Sequence, residues 1–357
     1  MSMCVLHVAE SLIPEAGSVA ITLPGLFRAL DQNGVQSAVL TADGSTPQAG
    51  DVNCRCHDVA DATQAVAQVD LLHLHGWGGD SFRSVAKIAR KGGKPYVISP
   101  QGGMSEGTHR KKGWRDQLRG LLGENSLIRG ALAVVALNEF EHKDFRDRRP
   151  NKSAVLLPYG LDFPSYRSTD DRLPDLADVP EGRILLFLGP IHPIEGLVPL
   201  LKTFGELAFE LDDWSIVIAG METGDWRRML EAAVRRKGGT ERVRFVNAPD
   251  VATQRAWLGK STILASPSLH IRCPVSIMQA VATGVTVVSS NRVVPEGLAK
   301  VVRTCEPNRT QLKQGLRSAM TLAEDERISA TQKARDVAES LYDWSVLAQR
   351  YVELYQS

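Results

Sequence analysis

ILLFLGPIHPIEGL, residues 184–197, decides the fold. Its first five residues, 184–188, are an unbroken apolar run of strand length. Gly189-Pro190 then breaks the run, and from Leu197 onward apolar residues recur at helical spacing. A buried strand, a glycine turn and a helix are the opening unit of a doubly wound parallel sheet. Downstream the rhythm repeats, with strands expected at 215–219, 243–246, 262–265, 286–289 and 301–303. Upstream lies a polar stretch, 163–182, punctuated by Pro164, Pro174 and Pro180, which reads as a linker. Before it the same alternation has already run once. Strands are expected at 4–8, 38–41, 71–75, 96–99, 133–137 and 154–157, with helices at 17–33, 81–91 and 139–148. The organisation is α/β. Residues 1–165 and 183–340 form two facing Rossmann-like domains whose strand C-termini share a cleft. Segment 341–357, with Trp344, Leu347, Tyr351 and Leu354 at helical spacing, reads as a packing helix.

Composition narrows the function. With 357 residues, Lys+Arg 42 against Asp+Glu 41 and a net charge of +1, the chain lacks the basic excess of a nucleic-acid binder. No apolar run approaches the roughly 20 residues that span a bilayer, and the N-terminus reads as a first strand, not a signal peptide. Five scattered cysteines (Cys4, Cys54, Cys56, Cys273 and Cys305) suit reduced thiols, and no metal motif accompanies them. A cytoplasmic address follows from these readings. The segment THRKKGWRDQLRGLL, 108–122, is basic and amphipathic with a central Trp114. Its bland reading is a solvated helix; its functional reading is peripheral contact with the inner face of a membrane or an anionic lipid-linked acceptor.

Several phrases, in order, resemble retaining glycosyltransferases of family four, which have the GT-B fold. Residues 6–14 followed by Ala16-Gly17-Ser18 look like the first strand and its glycine loop. Asp70-Leu71-Leu72-His73-Leu74-His75-Gly76 looks like the strand that places a histidine near the cleft. Leu156-Leu157-Pro158-Tyr159-Gly160-Leu161-Asp162 resembles the phrase closing the first domain, with Tyr159 where Asn is usual. Residues 186–197 resemble the opening of the second domain, and Pro267-Ser268 through Gln279-Ala280-Val281-Ala282-Thr283-Gly284 the donor-binding stretch. The closing helix, 341–357, is similar to the family's last helix, which the resemblance implies returns to the first domain.

The resemblance implies hexosyl transfer from a nucleotide-sugar to a saccharide or lipid-linked acceptor in polysaccharide or glycoconjugate synthesis. No cofactor or metal is implied. It places the donor near Gly17, Gly189, Pro190, His192, Glu195, His270, Ile271, Arg272 and Gln279, and the acceptor against His75 and Gln101. Four positions where the family carries charge read Pro190, Glu195, Ile271 and Gln279. A unit charge ~5 Å from a phosphate is worth about 3 kcal/mol at an effective dielectric near 20, so Glu195 in place of a cation opposes a diphosphate. Gln279 keeps hydrogen-bonding capacity toward a ribose. His192, His270 and Arg272 could form a rearranged cationic site. The changed positions also raise an alternative: a catalytically silent GT-B scaffold that binds a glycan or a partner glycosyltransferase. In the first domain, Gly17 permits close phosphate approach but more often simply starts a helix or turn, and only one of His73 and His75 is expected to face the cleft-side layer.

Overall fold

The computed structural model describes residues 2–13, 17–47, 54–77, 79–103, 126–148, 153–166, 175–176, 178–221, 224–235, 240–248, 250–269 and 275–357. The chain forms two compact units, Met1–Leu161 with Tyr342–Ser357, and Asp162–Leu341.

The first unit contains β1 (Cys4–Ala9), α1 (Ser18–Gln32), β2 (Gln36–Thr41), β3 (Cys54–Asp58), α2 (Ala62–Ala67), β4 (Leu71–His75), α3 (Asp80–Lys91), β5 (Tyr96–Ser99), β6 (Val134–Ala136), α4 (Glu139–Arg148) and β7 (Ala154–Leu156). Its seven strands are all parallel, in the order β3-β2-β1-β4-β5-β6-β7. The reversal between β1 and β4 makes a topological switch point, where doubly wound sheets leave a crevice at the strand C-termini. One sheet face packs Leu6, Val8, Leu72, Leu74 and Ile98 against Phe82, Val85 and Ala86 of α3. β3 falls outside the expected strands. Cys-Arg-Cys-His-Asp lacks the apolar pattern of a buried strand, and it forms an edge strand paired only with β2.

The second unit contains β8 (Arg183–Leu188), α5 (Leu197–Leu207), β9 (Trp214–Ala219), α6 (Trp226–Arg235), β10 (Val243–Val246), α7 (Val251–Lys260), β11 (Ile263–Ser266), α8 (Val275–Thr283), β12 (Thr286–Ser290), β13 (Arg303–Cys305), α9 (Arg309–Met320) and α10 (Glu324–Tyr342). Six parallel strands run in the order β10-β9-β8-β11-β12-β13. The switch point lies between β8 and β11, and the core is apolar, with Leu185, Phe187, Ile216, Ile218 and Ile263 meeting Leu200, Phe204 and Leu316.

The last helix, α11 (Trp344–Gln356), belongs to the first unit and packs on α1. Asp343 caps it, its carboxylate accepting from Ser345 N at 2.9 Å. Leu161 and Asp343 form a parallel bridge, with Leu161 N donating to Tyr342 O at 2.9 Å. A side chain on Gly25 or Gly160 would run into the Trp344 indole, so both glycines let the helix approach closely.

Candidate functional site

In the first unit three histidines share one sheet face. His7 on β1 is in register with His73 on β4, and His75 lies two residues further along β4. Side chains two apart point to the same face of a strand. The expectation that the two would alternate, with only one on the cleft-side layer, is therefore corrected: both lie on the same sheet face, with ring centroids 3.9 Å apart. All three are buried.

These imidazoles are tied into a network. His7 Nδ1 lies 3.0 Å from His75 Nε2, and His75 Nδ1 lies 3.1 Å from the Tyr159 hydroxyl. His73 Nδ1 meets Tyr355 Oη of α11 at 2.7 Å, and His73 Nε2 meets Ser99 Oγ at 2.7 Å. Burial drives the His7 pKa down to about 3 and holds His73 and His75 well below the usual imidazole range; the neighbouring imidazoles push those two further down. Burial raises the Tyr355 phenol well above its ordinary value. All these groups are neutral at pH 7. A nitrogen from each imidazole lies within 4.8 Å of the others, a spacing that meets one condition for a metal. Both ring nitrogens of His73 and of His75 already have partners, however, and an ion would have to displace them. The donor set fits a hydrogen-bonded core cluster better than a metal centre.

At the C-terminal edge of the same sheet, Gln101 adopts a left-handed backbone with φ 56°. Its Nε2 donates to Tyr159 Oη at 2.6 Å. The adjoining Gly102 N donates to Glu141 Oε1 at 2.7 Å, and Glu141 Oε2 accepts from Leu137 N at 2.8 Å. Burial raises the Glu141 pKa, against the pull of those two amides. Gly17 sits at the N-cap of α1 with φ 85°, as the helix-start reading expected.

In the second unit, Gly189 ends β8 and donates its amide to Ala219 O at 3.1 Å. A side chain on the adjacent Gly220 would strike the Gly189 carbonyl, so two bare backbones run against each other there. Pro190 follows, and Ile191 N donates to Met221 O at 3.0 Å. His192 caps the short 3-10 turn Pro193–Glu195; its Nδ1 accepts from Ile194 N at 3.3 Å. Gly196 turns left-handed (φ 74°) against the Pro267 carbonyl, and Leu269 N donates to Ile194 O at 3.0 Å. The β8 and β11 loops are thus joined by main-chain contacts at the switch point. Glu195, half-buried in the turn, belongs to this junction.

Gln279 on α8 is 1% exposed. Its Nε2 donates to Tyr166 Oη at 3.2 Å, while its Oε1 has no hydrogen-bond partner among the described residues. Arg255 lies 4.9 Å over the Tyr166 ring and donates to Ser165 O at 2.6 Å. Tyr166 and Arg255 were not expected at the site. They come from the linker and from α7, and no spacing in the sequence joins them to Gln279. His270, Ile271 and Arg272 lie outside the described residues, as does the basic segment 108–122. Among the described residues no helix is long and apolar enough to cross a membrane.

Comparison with known proteins places both units. Residues 17–160 match the model of a glycosyl transferase 4-like domain, and residues 182–321 that of glycosyl transferases group 1. GDP-mannose:cellobiosyl-diphosphopolyprenol alpha-mannosyltransferase of Komagataeibacter xylinus is 24% identical over 385 residues, covering 99% of this chain and 92% of the relative. The protein of that name from Xanthomonas campestris is 21% identical, over 82% of this chain and 75% of its own length. Among solved structures, HepE of Anabaena, crystallised with UDP, superposes with a TM-score of 0.76 at 15% identity, covering 99% of this chain and 100% of that one. Sucrose-phosphate synthase of Thermosynechococcus elongatus superposes with a TM-score of 0.78 at 16% identity, covering 99% and 98%. With the two family models matched in order, one on each parallel sheet, the chain belongs to the group 1 glycosyltransferases and has their GT-B fold.

Proposed function

We propose that the protein transfers a hexosyl group from a nucleotide-sugar to a saccharide or lipid-linked acceptor. In this reaction the bond from the anomeric carbon to the diphosphate breaks. A bond to an acceptor hydroxyl oxygen forms, and that hydroxyl gives up its proton. The donor nucleotide lies against the second unit, near Gly189, His192 and Gln279, and the acceptor lies on the first unit near His75 and Gln101. The relatives named for GDP-mannose and a cellobiosyl-diphosphopolyprenol make mannosyl transfer to a lipid-linked saccharide the leading specific reading.

The observation that carries this reading is the Gln279 carboxamide. A buried acceptor without a partner costs about 1–3 kcal/mol, and a ribose hydroxyl is a donor of the right chemistry to satisfy Oε1. The silent-scaffold alternative, raised by Pro190, Glu195, Ile271 and Gln279, is not favoured by transferase relatives that match along the whole chain.

Thermal denaturation with GDP, UDP and ADP tests the reading. A ligand at a hundred times its Kd adds about 2.7 kcal/mol, so one nucleotide should raise the Tm by several degrees. Gln279→Ala should shrink that rise. No shift with any nucleotide at millimolar concentration, on protein shown to be folded, would reinstate the scaffold.

A further inference from the structure

We propose that the outer face of α5 is where a second copy of this chain docks, with Phe209 of each copy entering the groove beside α5 of the other. α5 is apolar on two sides. Leu197, Leu200, Phe204 and Leu207 are buried in the core of the unit. Val198, Leu201 and Gly205 follow a second stripe at helical spacing, and Phe209 extends it in the turn that ends the helix. Val198 is 44% exposed and Phe209 90%. A helix that is apolar all round belongs in an interior, yet no described residue covers this stripe at Val198 or Phe209. Between α5 and α6 runs a groove of about 770 Å³, walled by Val198, Leu201 and Phe209 on one side and by Leu230, Val234 and Val243 on the other. Val243 opens β10, at the edge of the sheet opposite the strand C-termini, so the groove is separate from the donor site.

The face itself selects a copy of the same chain as the occupant. Phe209 is a projection beside a hollow of the size to take it, and a two-fold axis through such a face fills both hollows at once. Gly205 stands mid-helix and exposed, with nothing within 4 Å of where a Cβ would lie. A helix interior disfavours glycine relative to alanine, and no described neighbour demands it here. A bare backbone at that point suits the crossing of a second helix. Charge completes the argument. Five charged side chains line the groove, and three are engaged within the chain: Glu206 with Arg309 and with Lys313 of α9, and Arg242 with the carbonyls of Leu211 and Asp212. The other two, Lys202 and Glu241, are exposed, opposite in sign and without an ion pair among the described residues. They come from different walls, so two-fold exchange sets Lys202 of each copy toward Glu241 of the other. An anionic membrane is the poorer match, because Glu210 and Asp212 flank Phe209 in the chain.

Sedimentation velocity of the full chain over a range of concentrations reads the association. The wild type should show a monomer–dimer equilibrium. Phe209→Ser, at a position where the monomer has little packing to lose, should raise the dissociation constant by about 30-fold or more, the threshold of an interface hot spot. Gly205→Ala should weaken the association of the wild type yet raise the Tm of the Phe209→Ser protein, since alanine favours the helix and its methyl group obstructs only the crossing. Lys202→Glu should weaken association, and adding Glu241→Lys should restore it. A wild type that stays monomeric at every concentration overturns the proposal, as does a dimer that Phe209→Ser leaves intact. An association indifferent to Gly205→Ala and to the charge exchange places the contact elsewhere and overturns it too. Cosedimentation with phosphatidylglycerol vesicles supplies the remaining outcome. Vesicle binding by a protein that does not self-associate, lost in Phe209→Ser, would assign the face to lipid instead.

Discussion

The two sheets have the same strand order about their switch points, yet they fill the layer beneath their helices differently. In the second unit that layer is wholly apolar, and its packing is set by volume. In the first, β1 and β4 present three imidazoles to α1 and α11, and the helix answers with a phenol from Tyr355. One topology accepts both solutions because strand order is a property of the backbone. A polar layer adds a requirement that an apolar one lacks: each buried group must find its partner in one register. The first unit therefore has a docking position for α11 specified by hydrogen bonds as well as by shape.

Acid should break this symmetry most strongly. An imidazole held neutral in the folded state but free to protonate when unfolded stabilises the fold fully above pH 6.5, and that contribution is lost as pH falls toward the folded value. For His7 the window runs from 6.5 down to about 3, with a slope of about 1.4 kcal/mol per pH unit. His73 and His75 act in the same direction. Hydrogen exchange from pH 7 to pH 4 should show protection lost in β4 before β11. Equal loss in both would mean that the histidine layer is not the acid-labile element.

Trp344→Ala comes next. It empties a buried site over Gly25 and Gly160 and should cost about 3–5 kcal/mol, read by urea denaturation with probes in each unit. The counterpart in the second unit is Gly196→Ala. A methyl group there meets the Pro267 carbonyl in a left-handed backbone, for a cost of roughly 2–4 kcal/mol confined to that unit. A smaller and sharper test is Tyr355→Phe, which keeps the ring and removes only the partner of His73 Nδ1. About 1–2 kcal/mol should be lost, and less if His73 finds another partner. Asp343→Ala, which removes the cap of α11, should cost about 1 kcal/mol.

The sequence already carried most of the framework. The runs at 71–75, 96–99 and 243–246 are strands with the expected ends, because short β-rich segments too brief for a helix leave little choice. The last helix was legible from the spacing of Trp344, Leu347 and Tyr351, and its return to the first unit only from the family resemblance. β3 was not, since an edge strand needs no apolar face. Gly17 as a helix start was readable. The partners of Gln279 and Gln101 were not: Tyr166 lies 113 residues from one and Tyr159 58 from the other, and only the folded backbone joins them. The shared orientation of His73 and His75 was available from their two-residue spacing alone.

The first unit is built from both ends of the described chain, with the second inserted between its last strand and its closing helix. During synthesis, β1 to β7 leave the ribosome with the face that carries His7 and His73 lacking the part of its cover that α11 supplies. The inserted unit, continuous in sequence, can complete its own core before that cover is made. The part begun first is therefore finished last, and its nascent form is the one that most needs shielding from water and from other chains.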